Sequence, residues 1–252
     1  MKRFILHFLF LLSMIIVNAL ANIIPLNGQT TGEISNKLDV LFTPAGYVFS
    51  IWSLIYFLLF IWVLRGGLKS QRKRSVYKQT STLFVVSSIL NCSWIVVWHY
   101  EQFIASVAVM IGLLFSLILI YVTIQRNKPR FLDRLPFSVY LGWISIATIA
   151  NISYTLNYHG WSGFGLSDVS WTIILLLIAT ALALHIRFHE RDWIYPLVFI
   201  WAFIGIAAKN EGGESIVVST AYVLSAIIAI GIITLRKKKK QKRFSSRKRR
   251  SK

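Results

Sequence analysis

Apolar stretches of about the length of a bilayer crossing recur eight times along the chain, and this repetition constrains the fold more than any other feature. Uninterrupted apolar runs place spans near residues 4–24, 45–65, 80–99, 103–124, 137–157, 171–188, 193–209 and 216–235. An α-helix needs about 20 such residues to cross the hydrocarbon core. Backbone groups in lipid must find their hydrogen bonds within the protein, so runs of this kind form helices. The expected fold class is therefore all-α, a polytopic integral membrane helical bundle. Of the 252 residues, 56% are hydrophobic and 15% charged, well under the ~25% charge typical of a soluble domain. No segment is polar enough to form a separate soluble domain. The runs 171–188 and 193–209 are short and tightly joined, so a re-entrant hairpin is the alternative to two full spans there.

The net charge of +19 is concentrated at one end. Residues 236–252 hold 12 of the 28 Lys and Arg and no acid, so the other 16 basic residues face nine acidic ones, a net +7. A basic, low-complexity segment next to a span is expected to be disordered and to meet anionic lipid, each Lys or Arg contributing ~1 kcal/mol near the surface. Nucleic acid is the less expected partner. Connectors alternate in charge: Lys2-Arg3, 65–78, 126–134, the turn with Arg187 and Arg191, and the tail are basic, whereas 25–43, 100–102, 158–170 and 209–215 are not. Retention of Lys and Arg on the cytoplasmic side then puts both termini inside and makes the number of spans even. The N-terminal stretch has a second reading, because Lys2-Arg3, an apolar core and Ala19-Leu20-Ala21 follow the plan of a cleavable signal peptide. Continuation of the apolar run through Ile23 and Ile24 to Pro25 favours an uncleaved first span.

The side chains within the spans exclude several chemistries. All nine acids lie in or beside connectors, whereas ion-coupled transporters keep ionisable groups in mid-membrane. No carboxylate pair and no nucleophile with an evident base is present, so no catalytic residue is assigned. Cys92 is the single cysteine, which excludes an intrachain disulfide. His185 and His189 share a helix face, but at the end of a span interfacial histidines need no metal, and no metal site is assigned. Trp52, Trp94, Trp98 and Trp143 fall on three spans, where a bundle brings flat aromatic faces around one space or simply packs them. Asn91 and Asn151 lie inside apolar runs and are expected to turn into the bundle, either as interhelical glue or as ligand contacts.

Three stretches carry a family resemblance. Residues 43–56 read Thr43-Pro44-Ala45-Gly46-Tyr47-Val48-Phe49-Ser50-Ile51-Trp52-Ser53-Leu54-Ile55-Tyr56. Asn91-Cys92-Ser93-Trp94 is followed by Trp98, and Tyr140-Leu141-Gly142-Trp143 is followed by Ala147, Ala150 and Asn151. In this order and on these spans they resemble the TspO/MBR family, the tryptophan-rich sensory proteins and the translocator (peripheral benzodiazepine receptor) proteins. The chain departs from the family pattern at Thr43, Tyr47 and Val139, and it lacks an acid in the fourth span. The resemblance covers residues 1–157, implying a five-helix TspO-like core, with about three additional spans over 158–235 and a tail over 236–252.

What the resemblance implies for function is a pocket near one membrane face, capped by the connector 25–43, that binds tetrapyrroles or sterol-like molecules. Small and polar residues in that connector, with Pro25, Gly28 and Gly32, suit a mobile lid. The candidate ligand-binding residues are Trp52, Tyr56, Asn91, Trp94, Trp143 and Asn151. The expected function is binding of a hydrophobic planar ligand, such as a porphyrin or haem-like tetrapyrrole, by a multi-pass protein of the cytoplasmic membrane, with no cofactor required. An uncoupled small-molecule transporter or efflux component, and a tryptophan-dependent porphyrin-degrading enzyme, are the alternatives. The expected partners are the bilayer, anionic lipid through the tail and the hydrophobic ligand; a homodimer is left open.

Overall fold

The computed structural model describes residues 1–127 and 129–235; the basic tail, expected from its composition to bind lipid, lies outside them. Among the described residues the secondary structure is helical throughout: α1 (Lys2–Ile23), α2 (Thr31–Asn36), α3 (Ile51–Gly67), α4 (Ser75–Gln79), α5 (Ser81–His99), α6 (Phe103–Arg126), α7 (Phe131–Tyr158), α8 (Asp168–His189), α9 (Ile194–Asn210) and α10 (Ser215–Thr234). Among the described residues, seven helical stretches are long and apolar enough to cross a membrane: α1, α3 with the 3-10 turn before it, α5, α6, α7, α8 and α10. The protein is a multi-pass helical membrane bundle.

In the order α3, α1, α5, α6 and α7, five helices close a ring, each packed on the next, with α7 returning to α3. In its most apolar stretch α7 is 72% buried, against 28–44% for the other spans, so it is the central helix. Its sequence explains why. Ser138, Ser145, Thr148 and Asn151 interrupt an otherwise apolar helix, and polar groups in a bilayer are best satisfied against other helices. All four are buried.

With 17 residues, α9 is shorter than the other spans, about 25 Å of helix. Its ends nevertheless reach both ends of the bundle. Asp192, just before α9, bonds to Tyr121 of α6 and Ser138 near the start of α7. At the other end, Asn210 donates to the Leu41 carbonyl at 2.9 Å, and Lys209 donates to the Val40 carbonyl at 3.2 Å and to Thr43. Thus α9 runs alongside α7 through the full bundle rather than turning back as a hairpin. It need not match the lipid thickness because α7, α8 and α10 pack around it.

Two glycines allow this close approach. A Cβ at Gly142 would lie 3.0 Å from Val198, and one at Gly205 only 2.1 Å from Val48 Cγ2. The Ala45 amide donates to the Gly205 carbonyl at 3.0 Å, joining α9 to the turn that begins α3. Gly205→Val is expected to destabilise the protein by ~1–3 kcal/mol through overpacking. Gly112→Ala, where a Cβ meets Leu90 at an ordinary 3.6 Å, should change the thermal midpoint in detergent little.

The connector 25–43 forms an ordered strap across one end of the ring. Thr30 and Glu33 make a capping box on α2. The Tyr154 hydroxyl donates to the Ile34 carbonyl at 2.8 Å, and Asn27 donates to the His99 carbonyl at 3.0 Å. Lys37 is paired with Glu101 in the α5–α6 turn, and this partner holds the Glu101 carboxyl below its ordinary 4.5. A lowered carboxyl value means that the pair contributes at neutral pH and is lost as pH falls below that range. Amide protection in 25–43, taken relative to the intrinsic exchange rate at each pH, should fall on acidification below about pH 4. Glu101→Gln should lower it already at neutral pH and flatten the pH response.

Candidate functional site

Helical spacing turns the candidate residues toward one place. Trp52 and Tyr56 are one turn apart on α3; Asn91, Trp94 and Trp98 share a face of α5; Tyr140, Trp143 and Asn151 share a face of α7. The three faces meet inside the ring. Trp52 is central: its ring centroid lies 5.7 Å from Tyr56, 6.2 Å from Trp94, 6.0 Å from Tyr140 and 6.2 Å from Trp143. Trp94 in turn stacks on Trp98 at 5.7 Å.

Two amides tie these rings together. The Tyr56 hydroxyl donates to Asn91 Oδ1 at 3.2 Å, and Asn91 Nδ2 donates to the Tyr140 hydroxyl at 2.9 Å, linking α3, α5 and α7. Trp94 Nε1 donates to Asn151 Oδ1 at 2.9 Å, while Asn151 Nδ2 donates to Ser106 Oγ at 2.9 Å. The indole N–H groups of Trp52, Trp98 and Trp143 are buried without a hydrogen-bond partner among the described residues. A buried donor left unpaired costs ~1–3 kcal/mol, so these three are donors to which a polar ligand atom would be favourable.

Open space is divided unequally around this cluster. Between Trp94, Trp98, Trp143 and Asn151, under Phe49 and Pro44, lies a void of about 30 Å³, which holds water but no planar ring. A cleft of about 660 Å³ opens between α1 and α3, lined by Ile15, Asn18, Asn22, Trp52, Tyr56 and Phe57 among others. That volume is within the ~300–1,000 Å³ typical of small-molecule sites. Tyr47 and Thr31 lie at its strap end.

The family model described as TSPO-like protein matches residues 4–234. The chain belongs to the TSPO-like family. That match runs from α1 to α10, so it takes in α8, α9 and α10 as well as the five-helix ring. Neither a curated protein nor a solved structure matches the chain significantly.

In this TSPO-like chain all six candidate ligand-binding residues join one aromatic and amide cluster, but they face different spaces. Trp52 and Tyr56 line the α1–α3 cleft, Trp94, Trp143 and Asn151 line the small void, and Asn91 bridges Tyr56 and Tyr140. The reading of single residues missed Asn18 and Asn22, which stand one turn apart on α1 and share the Asn22 Nδ2 bond to the Asn18 carbonyl at 2.8 Å. Amides inside an apolar run were the signal, the same one that marks Asn91 and Asn151.

Two of the acids that lie in or beside connectors, Asp133 and Asp192, are fully buried there. Asp133 accepts two bonds from Arg74, at 2.9 and 2.7 Å, one from Arg65 at 3.3 Å and one from the Arg130 amide. Asp192 accepts from Tyr121 at 2.9 Å, from Ser138 and from the Ile194 amide at 2.9 Å, with Arg134 Nε at 3.6 Å. Both lie at the basic end of the bundle, opposite the strap, and both are saturated with donors. Their geometry joins helices.

Proposed function

We propose that this TSPO-like protein binds a hydrophobic planar molecule in the cleft between α1 and α3, entering from the bilayer, and acts as a sensor, carrier or scavenger of it. The observation that carries the reading is Trp52: a buried indole on the cleft wall, with an unpartnered N–H, stacked on Tyr56 and backed by Trp94 and Trp143. Flat aromatic walls favour a ring ligand, and the amides of Asn18 and Asn22 offer it polar contacts.

A tetrapyrrole fits the cleft by size and by its flat apolar body. Among the described residues the lining carries no Lys or Arg, so ionised substituents would be left at the membrane–water boundary while the ring lies inside. His, Cys and Met, common axial ligands of haem iron, are also absent from the lining. Trp52 would stack on the ring, Asn18 and Asn22 would orient it, and the strap would shield its outer end. An uncoupled transport path between α7 and α9 is the weaker reading, because Gly142 and Gly205 bring α9 into direct contact with its neighbours. Titration of the purified protein with protoporphyrin IX should quench tryptophan fluorescence saturably at one site per chain; quenching that rises linearly without saturation would count against the cleft.

In the cytoplasmic membrane, the end of the bundle bearing Lys2, Arg3, Arg65, Arg72, Lys73 and Arg187 would face the cytoplasm and the strap would face out. With Cys92 replaced, a cysteine at position 30 should react with an impermeant thiol reagent on intact cells. Reaction only after lysis would reverse the orientation.

A further inference from the structure

At the basic end of the α1–α3 seam, opposite the ligand cleft, lies a second cavity of about 380 Å³. Lys2 and Arg3 from the start of α1 and Arg72 and Lys73 from the α3–α4 connector converge on it. None of these four is paired with a carboxylate among the described residues. Among the described residues no acid lines the space, and the buried acid of this region, Asp133, is bonded to Arg65 and Arg74. Four cations facing one concavity repel one another unless an anion sits between them.

A second observation points to the same ligand. Tyr77, which lines the cavity, is 1% exposed, and its hydroxyl has no hydrogen-bond partner among the described residues. The start of α1 adds to this, since its first turn contains no acidic residue and its N-cap side chain makes no bond to the helix. Free amides at a helix N-terminus favour phosphate oxygens. The opposing carboxyl end of α3 is covered by rings: a Cβ at Gly67 would lie 2.7 Å from Phe4, and one at Gly66 3.0 Å from Tyr77. Those glycines let Phe4 and Tyr77 close over the last turn of α3 and form the apolar part of the cavity wall.

We propose that this cavity holds a phosphate group, and that its source is an anionic membrane lipid. The phosphate lies among Lys2, Arg3, Arg72 and Lys73 and accepts a hydrogen bond from Tyr77. One acyl chain passes around the start of α1 onto its exposed apolar face, where Ile5, Leu9, Leu12 and Ile16 are 40–54% exposed. This site is separate from the ligand cleft.

Native mass spectrometry of the full chain in neutral detergent tests it, with dioleoyl phosphatidylglycerol as the probe and inorganic phosphate as the soluble comparison. Raised ionic strength screens diffuse attraction by exposed basic residues. One saturable lipid adduct is expected. Arg72→Gln with Lys73→Gln should weaken it about tenfold or more, and Tyr77→Phe roughly threefold. Tyr77→Phe removes only an unpartnered hydroxyl, so it should fold as the parent does. Lys69→Gln with Lys78→Gln changes the charge of the same connector equally but does not touch the cavity, and should leave binding within about twofold. Equal loss in the Lys69 and Lys78 variant, or unchanged binding in the other two, would overturn the site. Inorganic phosphate binding as tightly as the lipid would overturn the lipid as its source.

Discussion

Asp192→Ala is expected to destabilise the bundle by about 3 kcal/mol or more. The substitution removes the acceptor shared by the Tyr121 hydroxyl, the Ser138 hydroxyl and the Ile194 amide, leaving three buried donors with no replacement. Each unsatisfied group costs ~1–3 kcal/mol, and Arg134 also loses its partner. The damage should spread, because Asp192 joins α6 and α7 to the start of α9. Asp192→Asn retains an acceptor in nearly the same place and should lose roughly half as much. Asp168→Ala, at the exposed start of α8, should cost under about 1 kcal/mol. Denaturation in mixed micelles reads all three; equal midpoints for Asp192→Ala and Asp168→Ala would show that the buried carboxylate contributes nothing to the fold.

Trp52→Ala should weaken binding of protoporphyrin IX by about 2 kcal/mol, near thirtyfold. It removes the stacking face and the free indole donor together. Trp52→Phe keeps an aromatic face and should lose ~1 kcal/mol, about fivefold. Trp193→Phe is the control, since Trp193 stacks on Phe131 at 6.2 Å at the basic end of the bundle. Trp201 is a poorer control than its position outside the five-helix ring implies. It donates to the Val48 carbonyl at 3.2 Å and meets Tyr47, a cleft residue, at 5.5 Å. Circular dichroism and thermal midpoints must accompany the titrations, because Trp52 also packs the core. A folded Trp52→Ala protein that binds as tightly as the parent would contradict the assignment.

Hydrophobic continuity made the helices readable in the sequence, including α9, because lipid allows little choice of secondary structure. The role of α9 was not readable. Its 17 residues look too short to span, and only the contacts of Asp192 at one end and Asn210 at the other show that it traverses the bundle inside a shell of helices. The cluster around Trp52 was likewise foreseeable residue by residue, since indoles and amides in apolar runs turn inward. How the space divides was not, because it depends on how closely the rings pack: Trp94 and Trp98 fill the ring interior, whereas α1 and α3 part around Asn18 and Asn22. The place of Asp133 and Asp192 in or beside connectors was readable, but their burial did not follow from it. Their flanking basic residues, and the place of Asp192 two residues ahead of an apolar run, are the capping and pairing signals that mark them as buried.

The most direct test of the central claim is to map where a planar ligand sits. A porphyrin or sterol-like ring carrying a photoreactive group, irradiated on the folded protein and traced by peptide mass spectrometry, should label residues 15–23 of α1 and 46–60 around the start of α3. Excess unlabelled ligand should suppress that labelling. Competable labelling confined to residues 168–234 would place the site in the α8–α10 unit and contradict the account.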